Sequence, residues 1–349
     1  MLDGGALNAG APNGDAPDEG TPNGDAPDGD APDASAPNGN TPDEGTPDEG
    51  TPDRAAPDEG TPDGDTPNGD TPKAGALNGT EVGWFVGGSD GGGRRVVDGS
   101  QILAQSIVAA GKALPGRTAR SAHALFVSVA DPERPLEFAV APVHAGRSFA
   151  SAVVTVAQGG RTRATCTVLL DRPQPDVIRH DRWTGPPVTG PAAACPARMP
   201  LQGRRLRIEG VADYGDPDEV GPPVLDAWLH YDTVPERDDL RRALLAHFTG
   251  HLSISATMRP HAGIGTAQAH HTVSTAVLGI GVTFHEPVGW DGWIRYHHES
   301  VYAGAGMCHV RGQVVTEDGR LLASFTQDAM IRAFDPAGTA RSLGADARL

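Results

Sequence analysis

One amide, Gln327, interrupts the apolar strand pattern of residues 321–332 (LLASFTQDAMIR). An amide carries two N–H donors and an acceptor, and burying it without partners is costly. An amide held in such a place can position a water or polarise a carbonyl. The plain alternative is a structural amide that satisfies backbone groups inside the sheet. His247 and His251 stand four residues apart, within a run that reads as helix, so they share a face. Imidazole suits proton transfer near neutral pH. The same spacing suits a metal, but there is no HExxH motif and no clear third ligand, so no metal is expected. Thr249 lies between them, and His270, His271, Ser274 and Thr275 add hydroxyls and imidazoles in a segment that also reads as a polar loop. Cys308 sits in a strand pattern with no base assigned to it.

These residues need elements to hold them. Residues 101–114 (QILAQSIVAAGKAL) place apolar side chains at helical spacing, with enough Ala for close packing. Four strand-like runs follow, at 119–129, 136–144, 148–157 and 162–170, separated by turn signals. A connector rich in proline spans 172–205. The pattern then recurs: strands at 205–212 and 225–233, a helix at 238–255, and strands at 274–284, 292–301, 307–316 and 321–332. Helix plus strands, linker, helix plus strands is the order expected of a duplicated α+β unit.

Ahead of this lies a different polymer. From Pro12 to Pro72 every fifth residue is proline, and residues 1–80 contain no aromatic side chain. Such a segment cannot offset its conformational entropy and is expected to be disordered. It carries 18 acidic groups against Arg54 and Lys73, a net of −16. Taking that from the −17 of the whole chain leaves −1 for residues 81–349. With no basic stripe to neutralise phosphates, nucleic acid is an unexpected partner. The acidic repeat reads as a solubilising extension, with docking as its other use. The three cysteines, Cys166, Cys195 and Cys308, are odd in number and lack a CxxC spacing, against a disulfide framework or zinc finger. No apolar run approaches the length of a membrane span. The start, Met-Leu-Asp-Gly-Gly, lacks the pattern of a signal peptide, so a cytoplasmic location is expected.

Taken together, the motifs resemble the acyl-CoA thioesterase II family over nearly all of residues 81–335. Gly83-Trp84-Phe85-Val86-Gly87 resembles the family's opening segment, and Gly99-Ser100-Gln101 its Gly-Gly-Gln at the start of the first helix. Residues 121–126 (SAHALF) resemble its His-Ser-x-His-x-x-Phe strand, and Gly146-Arg147-Ser148-Phe149 its Asp-Gly-x-Ser-Phe. In the second half Phe284-His285-Glu286-Pro287 resembles Phe-His-Arg-Pro, Trp293 with His298-Glu299-Ser300 resembles its Trp-Leu and x-Glu-Ser run, and residues 319–328 (GRLLASFTQD) resemble Gly-x-Leu-Val-Ala-Ser-x-x-Gln-Glu. The resemblance implies an α+β double hot-dog: an N-terminal unit at 81–171, a C-terminal unit at 206–335 and a tail at 336–349. It implies an acyl thioester substrate on CoA or a carrier protein, no cofactor, and further assembly into a homo-oligomer. The family hydrolyses its substrate with an Asp, a Ser or Thr, and a Gln. Gln327 falls on the Gln position. The carboxylate position falls on Gly250 and the hydroxyl position on Val277. His247, His251, Thr249 and Thr275 are therefore the candidates to rebuild the site, with Gly250, Val277, Phe284 and His285 lining it. Two functions stay open: a thioester hydrolase with an altered site around Gln327, or a repurposed hot-dog protein that binds a hydrophobic acyl thioester or metabolite and performs hydration, elimination, cyclisation or no reaction.

Overall fold

The computed structural model describes residues 82–191, 195–197, 203–269 and 271–333. The repeat tail of 1–80 and the tail of 336–349 lie outside these described residues. The first half runs β1 (Gly83–Gly87), α1 (Gly99–Ala113), β2 (Thr118–Phe126), β3 (Leu136–Ala145), β4 (Phe149–Gln158) and β5 (Arg161–Asp171). The second runs β6 (Cys195–Ala197), β7 (Arg204–Ile208), β8 (Val224–Tyr231), α2 (Asp238–Phe248), α3 (Ser253–Met258), β9 (Val273–Phe284), β10 (Ile294–Gly304), β11 (Met307–Thr316) and β12 (Leu321–Ala333). The strands β1 and β6 are additions to the expected elements; β6 lies inside the segment read as a plain connector.

All twelve strands join one antiparallel sheet in the order β1-β3-β4-β5-β2-β9-β12-β11-β10-β8-β7-β6. The halves meet where β2 pairs β9, from Ser121 opposite Thr283 to Leu125 opposite Gly279. Burial alternates along the strands, as in Ala150, Ala152, Val154 and Val156 of β4, so one face of the sheet is packed. The helices cover that face. α1 buries Ile102, Leu103, Ile107, Ala109 and Ala110 in the shared core. The two long helices pack antiparallel: the start of α1 at Ser100 meets Gly250 beyond the end of α2, and Gly111 near the end of α1 faces Asp239 at the start of α2. This is the double hot-dog architecture that the motifs imply.

Two local details shape the face beneath the helices. The helix expected over 238–255 is broken in two. α2 stops at Phe248, where the Thr249 hydroxyl donates to the Ala246 carbonyl at 2.7 Å. Gly250 follows, Leu252 adopts a left-handed φ of 67°, and the chain restarts as α3. The break has a physical cause: Gly is a poor helix residue, and the side chain of Thr249 competes for a helix carbonyl. The second detail is a bulge in β9. Asp328 pairs with Gly279 but Ala329 pairs with Val277, so Leu278 is skipped. The bulge keeps Val277 and Thr275 on the same face as Ile280.

Candidate active site

Gln327 lies in the middle of the packed face of the second half. Its row across the sheet reads Ala124, Ile280, Gln327, Val310 and Ser300, from β2 to β10. The side chain is 1 % exposed, and neither its oxygen nor its nitrogen has a hydrogen-bond partner among the described residues. In the neighbouring row His298 is fully buried, on the strand beside Gly312 and two strands from Phe325. Its Nδ1 reaches the Leu225 carbonyl at 3.1 Å, its Nε2 is unpartnered among the described residues, and its ring meets Phe325 edge-on at 5.2 Å. A carbonyl accepts only, so Nδ1 carries the proton and Nε2 is left as an acceptor. Burial pushes this imidazole down to about 4, although the Leu225 carbonyl opposes the shift.

The break between α2 and α3 hangs over this face. A Cβ placed on Gly250 would lie 2.6 Å from Ser100 Cβ, 2.8 Å from Ser100 Oγ and 3.0 Å from Ile280 Cδ1. Ile280 is the cross-strand partner of Gln327. So Gly250 is packed against the row that holds the amide, and the space its side chain would need is filled by Ser100 of the first half. His251, the next residue, is 6 % exposed. Its ring stacks on Phe248 at 5.2 Å and meets His247 edge-on at 5.7 Å. Its Nε2 lies 3.6 Å from Oδ2 of Asp98, beyond hydrogen-bond length, and both ring nitrogens are unpartnered among the described residues.

Asp98 is the N-cap of α1. Its Oδ1 accepts from the Ser100 amide at 2.9 Å and from the Ser100 hydroxyl at 2.5 Å, and its Oδ2 accepts from Arg94 at 2.9 Å. Burial works to raise this carboxyl, but His251, the Ser100 donors and Arg94 outweigh it and hold it well below the usual range. Burial holds His251 down to about 3, against the pull of Asp98, and His247 down to about 4, with Arg204 adding to the effect. At neutral pH the cluster is an ionised carboxylate beside two neutral imidazoles. It reaches solvent at Asp98, whose side chain is 15 % exposed, and at the half-exposed Arg94.

The candidate residues divide accordingly. Gly250, His251 and His247 lie at the helix break, and Gly250 reaches the row that holds Gln327 through Ile280. His247 and His251 come together there although they do not share one continuous helix. Val277 faces the same side, opposite Ala329. Thr275 shares that face but pairs with Ile331, four residues along β12 from Gln327, about 13 Å at the usual strand rise. Thr249 is buried with its hydroxyl occupied by the helix end. Phe284 lies in the core with the Arg242 guanidinium 5.2 Å from its ring centre. His285 is on the other side, exposed, 2.9 Å from Ser324 Oγ. His271 is exposed, and His270 lies outside the described residues. Sequence reasoning misses Asp98, and it reaches Ser100 only as the middle of a motif. Asp-Gly-Ser just before an apolar helix is a capping signal, and it marks Asp98 as a cap. A groove of about 580 Å³ lies on the opposite, outer face, lined by His123, Val143, Leu169, Thr283 and Thr326, away from these groups. Among the described residues no three His, Cys, Asp or Glu side chains are gathered as metal ligands, and no helix is long and apolar enough to cross a membrane.

Residues 90–170 match the acyl-CoA thioesterase N-terminal domain, and residues 175–331 match the acyl-CoA thioesterase C-terminal domain. The chain belongs to the acyl-CoA thioesterase II family. Its relatives include acyl-CoA thioesterase 2 of Haemophilus influenzae, 27 % identical over 269 residues that cover 71 % of this chain and 92 % of that protein. Acyl-coenzyme A thioesterase 8 of Homo sapiens is 26 % identical over 263 residues, covering 67 % and 80 %. Among solved structures the fold is similar to the tesB protein of Mycobacterium avium subsp. paratuberculosis, with a TM-score of 0.60 at 20 % identity over 71 % of this chain and 93 % of that one. The acyl-CoA thioesterase II TesB2 of Mycobacterium marinum gives 0.57 at 21 % identity, covering 72 % and 93 %. Neither Gly250 nor Val277 carries a side chain that can move a proton.

Proposed function

We propose that this chain hydrolyses acyl-CoA thioesters, with Gln327 holding the thioester carbonyl or the attacking water and His251 taking up the proton. The observation that carries this is the Gln327 amide, buried with both ends free among the described residues. A group in that state costs stability, which a structural role would repair by pairing it. The chemistry balances without a cofactor. A water oxygen bonds to the thioester carbon while its proton passes to the neutral imidazole. The oxyanion of the tetrahedral adduct is stabilised by the amide N–H. Collapse then breaks the C–S bond, and the proton returns to the departing thiolate, giving a carboxylic acid and CoA. His251 is neutral at working pH, but burial makes it a weak base, so the exchange needs a nearby negative charge to stabilise the imidazolium.

The test is release of free CoA thiol from acyl-CoAs of short, medium and long chains, by the native chain and by Gln327→Ala. Turnover that falls at least about 100-fold in the variant supports the reading. No turnover on any chain length sinks it. Gly250 and Val277 favour one other reading, in which the thioester is bound and not cleaved. Saturable binding of an acyl-CoA with no release of thiol would select it.

A further inference from the structure

We infer that the carboxylate of this site is Asp98, supplied by the first half of the chain, and that it acts as the positioning residue of His251. The inference rests on the thioesterase reading for its chemistry, but on independent geometry for its place.

Three observations converge on it. The first is steric. Where the family motif reads Gly-Gly-Gln, this chain reads Gly99-Ser100-Gln101, and where the family has a carboxylate this chain has Gly250. The two changes are complementary in space, because the Ser100 side chain occupies the volume that a side chain at Gly250 would need. Ser100 donates both its hydroxyl and its amide to Asp98, so the residue that fills the gap also orients a carboxylate beside it. The second is the direction of Asp98. One oxygen is taken by Ser100, while Oδ2 is shared between exposed Arg94 and the approach to His251. The third is His251 itself, buried with both nitrogens unpartnered among the described residues although a carboxylate oxygen stands 3.6 Å from Nε2. A shift of under about 1 Å would close that gap to a charge-assisted hydrogen bond of about 2.8 Å. Catalytic hydrogen bonds in free enzymes are commonly long and tighten with substrate bound.

The consequence is a definite tautomer. When Asp98 accepts from Nε2–H, Nδ1 is the free base that receives the proton of water. The imidazolium formed in that step is then stabilised by the adjacent negative charge. Without Asp98, nothing among the described residues selects which nitrogen is free.

Asp98→Asn is the informative substitution, because Asn caps a helix about as well as Asp and so spares α1. The expected result is a fall in kcat of about 100-fold or more with KM within a few-fold, and little change in melting temperature. Unchanged kcat overturns the inference. A second readout needs no substrate. Nitrogen-15 spectra of histidine-labelled protein should show His251 as the Nε2–H tautomer in the native chain, and a redistributed tautomer in Asp98→Asn. A native Nδ1–H tautomer, or one indifferent to the substitution, overturns the inference even if the chain is an active thioesterase. Conversely, the expected tautomer in a chain that releases no thiol leaves the pairing standing and removes the hydrolytic reading.

Discussion

At the scale of single residues, Gln327 is where stability and function pull apart. Its amide is buried and unpaired among the described residues, and a buried unsatisfied polar group costs roughly 1–3 kcal/mol. Met is close in volume to Gln and has no polar hydrogen, so Gln327→Met should raise the unfolding free energy by an amount within that range. The same substitution should abolish turnover. Denaturant titration and thiol release on one preparation check both together. A variant that is less stable than the native chain would mean that the amide has partners after all. Thr249 illustrates the opposite case: its hydroxyl is already bonded to the Ala246 carbonyl. Thr249→Val should therefore act on the end of α2, at a cost of about 1 kcal/mol, and leave kcat within a few-fold.

At the scale of elements, the decisive feature is the interruption between α2 and α3, held over the start of α1. Much of the fold could be read from the sequence. Alternation along β4 and the Ala-rich face of α1 are strong periodic signals, and the motifs at Phe284-His285-Glu286-Pro287 and around Gln327 fixed the order of the second half. What could not be read was contact between distant pieces. No spacing rule links Asp98 to His251, which lie in different halves of the chain and meet only because the helices run antiparallel. Nor does periodicity reveal the helix break, because the helical spacing of His247 and His251 carries on across Thr249 and Gly250, where α2 has already ended. The complementarity of Ser100 and Gly250 yields a coupling test. Gly250→Ala should destabilise by about 1–3 kcal/mol, since the new Cβ meets Ser100 and Ile280 closer than ordinary contact. In a Ser100→Gly background most of that penalty should vanish. A double-mutant cycle measures the difference, and additive effects would show that the two positions do not share the space.

At the scale of the whole molecule, the buried imidazoles tie stability to pH. Burial holds His251 at about 3 and both His247 and His298 at about 4, against 6.5 for an exposed histidine. Below pH 6.5 the unfolded chain takes up protons at these three positions and the native chain does not, so stability falls as pH falls. By about pH 5.5 each contributes a loss on the order of 1 kcal/mol, and the decline continues toward the native values. Asp98 acts in the same direction only further down, because its unfolded carboxyl begins to protonate near 3.8. The acid limb should thus begin well above the carboxylate range, and these three rings together should add about three protons to its slope near pH ~5.5. His298→Gln keeps a donor for the Leu225 carbonyl but removes one titrating ring, so it should lower that slope by about one proton. Unfolding free energies measured in urea between about pH 7.5 and 5.0 give both slopes. Equal slopes in the two proteins would mean that His298 gains a proton in the native state, and that the interior beneath the helix break is wetter than its packing implies.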